Sequence, residues 1–374
     1  MQSTAQGFLM FELTGSPAYL GYVGFAAGIP TWLFTLYGGV IADRISRRRL
    51  LLITQTIMMI LAIILAFLTF TQLVQAWHII LLAFFLGCAN AFDAPARQAF
   101  VTDLVDRSNL TNAIALNSTM FNAGTVLGPA LAGLTYAAFG PQWCFTINAF
   151  SFLAVIAALS RMKIAPINRI PSRVTVLEEA REGLHYVLRH PIIRLIVLNM
   201  GVVSLFGLGF ITLMPAWAVD VLGGDATTNG FMLSARGLGA LAGALMIASF
   251  GQFHAKGRLL SIGSFILPIS LLLFSTVRQL PIALSVLFAV GWGFMVMANM
   301  SNALVQIHVD DALRGRVMGV YTLIFFGLMP VGSLLNGTLA NQVGPPLTVQ
   351  ISAFIMLAFS TLLFLRAPGL RRLE

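Results

Sequence analysis

Charge is what this 374-residue sequence has least of. Asp, Glu, Lys and Arg together make up 9% of it, against about 25% in a soluble domain. The hydrophobic fraction is 58% and the mean hydropathy is +0.89. That combination excludes a soluble two-domain enzyme and calls for lipid as the solvent. Cysteine is scarce too. Cys88 and Cys144 lie in or beside separate apolar segments with no CxxC spacing, and read as free thiols. The five histidines, His78, His185, His190, His254 and His308, scatter among loops without metal-ligand spacing. There is no GxxxxGK[ST], so no P-loop. GLGALAG at Gly237 to Gly243 lies inside an apolar run, where it reads as helix-packing glycine. No basic n-region, short apolar core and cleavage site open the chain, so nothing reads as a removed signal peptide. The expected tally is therefore no catalytic residue, no metal and no cofactor.

What charge there is leans positive, with 22 Lys and Arg against 13 Asp and Glu, a net +9. In a soluble protein that balance would suggest nucleic acid, so its location decides its meaning. All the Lys and Arg except Arg236 and Arg278 fall beside alternate inter-helix loops or in the tail. This is the positive-inside signal, and it puts the basic loops and the C-terminus on the cytoplasmic side. The partner it implies is a bilayer, not nucleic acid.

At about 20 residues per span, the chain has room for about 11 to 12 spans. Met1 to Leu13 makes about 20 Å of helix against a hydrocarbon core of about 30 Å. It reads as the outer half of a first helix whose cytoplasmic half is absent, through truncation or a miscalled start. Later spans read as Tyr19 to Ala42, Leu50 to Phe70, Ile79 to Phe92, Leu110 to Ala138 and Phe145 to Leu159. After a gap come Ile192 to Met214, Asn229 to Phe250, Leu259 to Val277, Ile282 to Ile307, Val317 to Ala340 and Leu347 to Leu365. The gap, Arg161 to His190, is the one long polar segment. Its second part places Leu177, Ala180, Leu184, Val187 and Leu188 on one helical face, with a capping box at Thr175 and Glu178. A linker lying on the membrane surface is expected there, with a regulatory docking site as the other reading.

Sliding the chain by 204 residues aligns 99–150 with 303–354 without a gap. Val101/Val305, Asp106/Asp310, Phe121/Phe325, Gly128/Gly332, Gly133/Gly337, Gly140/Gly344 and Pro141/Pro345 are among the identities. An offset of 209 puts Gly28 on Gly237 and Arg49 on Arg258. Two copies of a six-helix unit in the same orientation follow. The expected fold is an all-α polytopic membrane protein of two pseudo-symmetric six-helix bundles, the first helix incomplete. Residues 1–160 form the N-terminal bundle, 161–190 the cytoplasmic linker and 191–374 the C-terminal bundle. Parallel repeats of this kind suit a molecule that rocks around a site near the midplane.

Two motifs carry a resemblance. GGVIADRISRRR, from Gly38 to Arg49, ends an apolar run abruptly at Asp43, Arg44, Arg47, Arg48 and Arg49. Gly38 and Gly39 permit close helix approach, and the arginines are too costly to drag through lipid. This stretch resembles the loop between helices 2 and 3 of the major facilitator superfamily, with Ser46 where the usual form has glycine. The resemblance implies that Asp43, with Arg44 and Arg48 nearby, latches the two halves on the inner face. A plain positive anchor is the alternative. In the fifth span, GTVLGPALAG carries Gly124, Gly128, Pro129 and Gly133. It resembles the antiporter motif of that superfamily's drug exporters, with Ala132-Gly133 in place of Gly-Gly. An ordinary small-residue contact is the alternative. NAFDAPARQAFVTDLV, ending the fourth span with Asp93, Arg97 and Asp103, adds a resemblance to the branch holding the enterobactin exporter and macrolide efflux proteins. That branch implies a monomer in the bacterial cytoplasmic membrane, expelling a small organic molecule against protons. For Asp93 and Arg97 a structural ion pair at the cytoplasmic rim is the equal alternative.

Polar side chains at membrane depth are the first candidates for cargo contact. Spans 1, 4, 7 and 10 line the cavity in the resembled fold, which favours Gln6, Asn90, Asn199 and Asn299. Arg236, the only cation inside a span, either holds an anionic substrate or pairs with Asp220 or Asp225 near the outer rim, and the pair is preferred. Glu12 and Asp93 are the only intramembrane-looking carboxylates available for protons.

Overall fold

The computed structural model describes residues 1–162, 176–249, 255–366 and 369, leaving aside the side chains of 35–44, 107 and 176–178. Among the described residues the chain is helical throughout, with no strand. Six helices form the first half: α1 (Gln2–Thr14), α2 (Pro17–Arg44), α3 (Arg47–Phe70), α4 (Ala76–Leu104), α5 (Leu110–Phe139) and α6 (Pro141–Arg161). After α7 (Val176–Arg189) come α8 (Pro191–Val221), α9 (Ala226–Ser249), α10 (Lys256–Thr276), α11 (Leu280–His308), α12 (Arg314–Val343) and α13 (Pro345–Arg366). Among the described residues nine of these are long and apolar enough to cross a membrane. Phe67, Phe70, Phe121, Phe150, Phe354 and Leu365 are more than half exposed, an apolar girdle that only lipid accommodates.

The expected spans recur with extended ends. The largest difference is α4, which continues through Pro95 to Leu104 where the sequence suggests an end at Phe92. A proline bends a long helix without stopping it when neighbours occupy the freed carbonyl. The seventh span is one irregular helix. Pro191–Val202 gives way to a π turn at Val203–Gly207, a 3₁₀ turn at Gly209–Leu213 and a second π turn at Trp217–Val221. Its irregular part lies against α12, where the Ser204 hydroxyl donates to the Phe325 carbonyl and a Cβ on Gly332 would strike the Leu205 carbonyl. The linker's first part, with Thr175 and the Glu178 side chain, lies outside the described residues.

Helix contacts come in corresponding pairs. α2 packs on α4 as α9 packs on α11, and α3 packs on α6 as α10 packs on α13. Between the halves, α2 meets α12 and α5 meets α9, which are one contact written twice under exchange of the repeats. The atoms repeat as well. A Cβ on Gly21 would lie 2.9 Å from the Ser333 carbonyl oxygen, and one on Gly230 would lie 2.5 Å from that of Pro129. Gly337 faces the Pro17 carbonyl as Gly133 faces that of Ala226. The offsets of 204 and 209 convert the first member of each pair into the second. Glycine is required there because backbone, not side chain, fills the space.

Both seams are tight toward the end bearing Gly15, Gly140, Gly223 and Gly344, and loosen toward the end bearing Arg47, α7 and Arg316. Past the Trp32–Gly327 contact, α2 and α12 part around a crevice of about 270 Å³. The half of α5 nearer that basic end is exposed, including Leu116, Met120 and Phe121. α1 is packed into the core of the first half through Ala5, Leu9, Met10 and Phe11, and is tied by side chains as well. Asn148 Nδ2 donates to Gln2 Oε1 at 2.6 Å, Gln6 Nε2 to the Ile79 carbonyl at 3.1 Å, and the Tyr136 hydroxyl to Glu12.

At the basic end, Arg48 donates from Nε and Nη2 to the carbonyls of Leu159 and Ser160, each at 2.7 Å, closing the end of α6. A guanidinium fork on the last carbonyls of a helix satisfies groups that have no intrahelical partner. Arg48→Ala is expected to lower stability by about 1–2 kcal/mol, read from unfolding in detergent. Arg48→Lys should recover less than half of it, because one ammonium does not serve both carbonyls.

Candidate functional site

A cavity of about 440 Å³ lies between the halves where the two seams meet, within the size range of drug-sized ligand sites. α2 contributes Leu20, Val23, Gly24 and Ala27; α9 contributes Asn229, Leu233 and Arg236. These are equivalent faces of the two repeats, since the 209 offset carries Leu20 to Asn229, Gly24 to Leu233 and Ala27 to Arg236. One wall is apolar and the other carries an amide and a guanidinium. α4 closes the apolar side with Ala83 and Leu86, α1 adds Ser3, Thr4, Gln6 and Gly7, and α8 adds Ile211, Thr212 and Pro215. Among the described residues, no Asp or Glu lines the cavity.

The expected pairing of Arg236 is corrected. Asp225 sits about 16 Å away along α9, at 1.5 Å per residue over the intervening turns. Its carboxylate accepts from the Thr228 backbone N–H at 3.0 Å and caps the helix start. Asp220 is exposed at the far end of α8. Arg236 instead points into the cavity, its Nε buried and without a hydrogen-bond partner among the described residues.

The four favoured amides fall differently from expectation. Gln6 reaches the cavity edge, but it is 3% exposed and its Nε2 is committed to the Ile79 carbonyl. Asn199 faces away from the cavity, into a small crevice inside the second half, where its Nδ2 donates to Ser264 Oγ at 3.2 Å. Asn90 stands one turn beyond Leu86 on α4, and neither it nor Asn299 lines the cavity. Depth identifies a polar residue as costly without saying which face of its helix it occupies. Asn229 was not singled out, although it opens the eighth span. It is 1% exposed, and its Oδ1 has no hydrogen-bond partner among the described residues. Comparing the repeats position by position would have found it, opposite Leu20.

The fifth-span glycines divide their work. Gly124 lines the cavity with nothing within 4 Å of an added Cβ, and Gly128 faces the start of α1 at 3.8 Å. Pro129 and Gly133 form the seam with α9, where the Ala130 N–H donates to Ser234 Oγ at 3.0 Å. Asp93 is 2% exposed, well inside the end of α4. It accepts from Thr54 Oγ1 at 2.9 Å and Gln55 Nε2 at 2.8 Å, with Arg97 Nε at 3.6 Å. It is therefore an interior group joining α3 to α4, and neither it nor Arg97 lines the cavity. Asp103 pairs with Arg47 at 2.8 Å. The side chains of Asp43 and Arg44, and the surroundings of Gly39, lie outside the described residues.

Comparison with known proteins agrees with this architecture. The family described as transmembrane secretion effector matches residues 1–372. The multidrug efflux pump Tap of Mycolicibacterium fortuitum is 26% identical over 98% of this chain and 91% of its own. The enterobactin exporter EntS of Shigella boydii is 27% identical over 99% and 85%. Among solved structures, the nucleoside transporter NupG has the same fold, with a TM-score of 0.73 at 13% identity over 98% of this chain and 94% of that one. Two seams, one central cavity and a match along nearly the whole chain place this multi-pass membrane transporter in the transmembrane secretion effector family, within the major facilitator superfamily.

Proposed function

We propose that this transporter expels a small organic compound of siderophore, macrolide or other hydrophobic drug-like kind from the bacterial cytoplasm by proton antiport with alternating access. The observation that carries the reading is the pair of repeat-related seams, tight at one end and parted at the other, around a central cavity. Similarity to an efflux pump and an exporter supports the outward direction. With the basic loops and C-terminus cytoplasmic, the conformation described is open to the cytoplasm and ready to load. The working unit is a monomer in which 1–160 and 191–374 rock as bodies, joined by 161–190. Closing the cytoplasmic end brings Asp43 and Arg44 to the opposite half as a latch, with Gly39 allowing the approach. Pro129 and Gly133 bear on α9 at the pivot, with Gly124 and Gly128 beside it keeping the cavity and the start of α1 clear.

Asp93 serves as the proton-carrying carboxylate. Its carboxylate accepts from both Thr54 and Gln55 and faces Arg97, so it sits where α3 is joined to α4. Cargo and proton then occupy separate places, the cavity and the α3–α4 contact.

The direction is read from cells loaded with a panel of labelled macrolides and catecholate siderophores. Expression is expected to lower accumulation of at least one compound severalfold, and a protonophore should restore it. Raised accumulation would mean an importer of the same fold. No flux of any compound in proteoliposomes, despite binding, would mean a sensor.

A further inference from the structure

The second repeat has turned one wall of the cavity into a receptor for negative charge. A guanidinium inside a span is costly, and proteins that keep one there usually give it a counter-charge. Arg236 has none among the described residues, its Nε is buried and unpartnered, and no carboxylate lines the space it faces. Two turns away on the same face, Asn229 is buried with its Oδ1 also unpartnered, about 10 Å along the helix axis. The equivalent residues across the cavity, Ala27 and Leu20, are apolar. The backbone at Arg236 is held firmly, since Gly291 on α11 lets its carbonyl approach closely, as Gly87 on α4 does for Ala27. The same backbone contact thus supports an unreactive alanine in one repeat and a cation in the other. Packing therefore does not explain the arginine.

From this we infer that the cargo is an amphiphilic organic anion. Its carboxylate or similar oxyanion forms a charge-assisted pair with Arg236, Asn229 accepts from a hydroxyl or N–H farther along the molecule, and its apolar body lies against Leu20, Val23, Ala27 and Leu86. This rests on the export reading above and narrows its substrate class. Cargo would supply a counter-charge to Arg236, so loading itself stabilises the occupied conformation.

The test uses the full chain in nanodiscs with two probes of matched shape, 1-naphthaleneacetate and 1-naphthaleneacetamide. Binding is measured by equilibrium dialysis, and efflux from loaded proteoliposomes is measured in parallel. The acetate is expected to bind at least tenfold more tightly than the acetamide. Arg236→Gln should erase that preference and Arg236→Lys should keep most of it. Without probe, Arg236→Gln should melt at or above the wild-type temperature, because it removes an unpaired buried charge. Equal affinities, no acetate binding at millimolar concentration, or a variant melting several degrees lower would each overturn the anion site. Efflux of both probes at rates insensitive to Arg236→Gln leaves export standing and removes the anion site. Arg236-dependent acetate binding with no efflux of either probe does the reverse.

Discussion

Gly337→Val is expected to abolish transport while the chain still folds and inserts. An added Cβ at Gly337 would lie 2.6 Å from the Gly21 Cα, 2.7 Å from its nitrogen and 2.9 Å from the Pro17 carbonyl oxygen. All three are backbone atoms of α2, so no rotamer change relieves the clash and α12 must move away from α2. Overpacking of this kind costs about 1–3 kcal/mol, enough to shift a two-state equilibrium by about 5–150-fold. The conformation tight at the end away from the arginines is the one penalised. A cysteine placed at Asn341, which accepts a hydrogen bond from the Ser16 hydroxyl at 2.7 Å across this seam, should therefore react faster with an impermeant maleimide added outside. Gly133→Val, the repeat-equivalent change, should act in the same direction. Gly319→Ala, with nothing within 4 Å of the new methyl, should be silent. If Gly337→Val transports and labels like wild type, the seam is not where the halves bear on each other.

Asp93→Ala is expected to be the most destabilising single truncation at the basic end. It removes the acceptor of the Gln55 amide, and leaves the Thr54 hydroxyl only the Leu51 carbonyl, inside the contact of α3 with α4. Losing bonds to a buried carboxylate costs about 1.5–3 kcal/mol each. The Arg97 pair adds little, because that guanidinium is half exposed and can rehydrate. The sum is about 2–4 kcal/mol after partial relaxation, measurable as a lower midpoint in denaturant. Asp93→Asn keeps an acceptor and should lose less than half of that, yet an amide cannot carry a proton. Its expected phenotype is downhill efflux at wild-type rate with no accumulation against a gradient. Uphill export by Asp93→Asn would exclude Asp93 as the carrier of the coupled proton.

The architecture was largely legible because it is written twice. Apolar runs gave the spans, and the offsets of 204 and 209 gave the correspondence that the seams repeat atom for atom, Gly133 with Gly337 and Gly21 with Gly230. The site was legible only in part. Arg236 stood out by charge, but its surroundings depend on which face of α9 meets the other half, and hydropathy is blind to that in a helix apolar nearly all round. Asn199 looked like a cargo contact and binds Ser264 instead; Asn229 drew no notice at the start of its span and lies buried in the wall. In both cases the amide type was informative and its azimuth was not. The long run of α4 past Pro95 escaped notice because local backbone chemistry favours a stop at a proline, where the helix in fact continues to Leu104.

The place where Gly28 rests on Pro330 also sets a lever ratio. From there to the Arg44 tip the arm is about 24 Å long at 1.5 Å per residue. A tilt of about 10° would swing that tip by about 4 Å, the width of a methyl group, while atoms at the fulcrum barely shift. Small solutes or lipids wedging at the fulcrum would thus be felt most strongly a full arm's length away, at the rim.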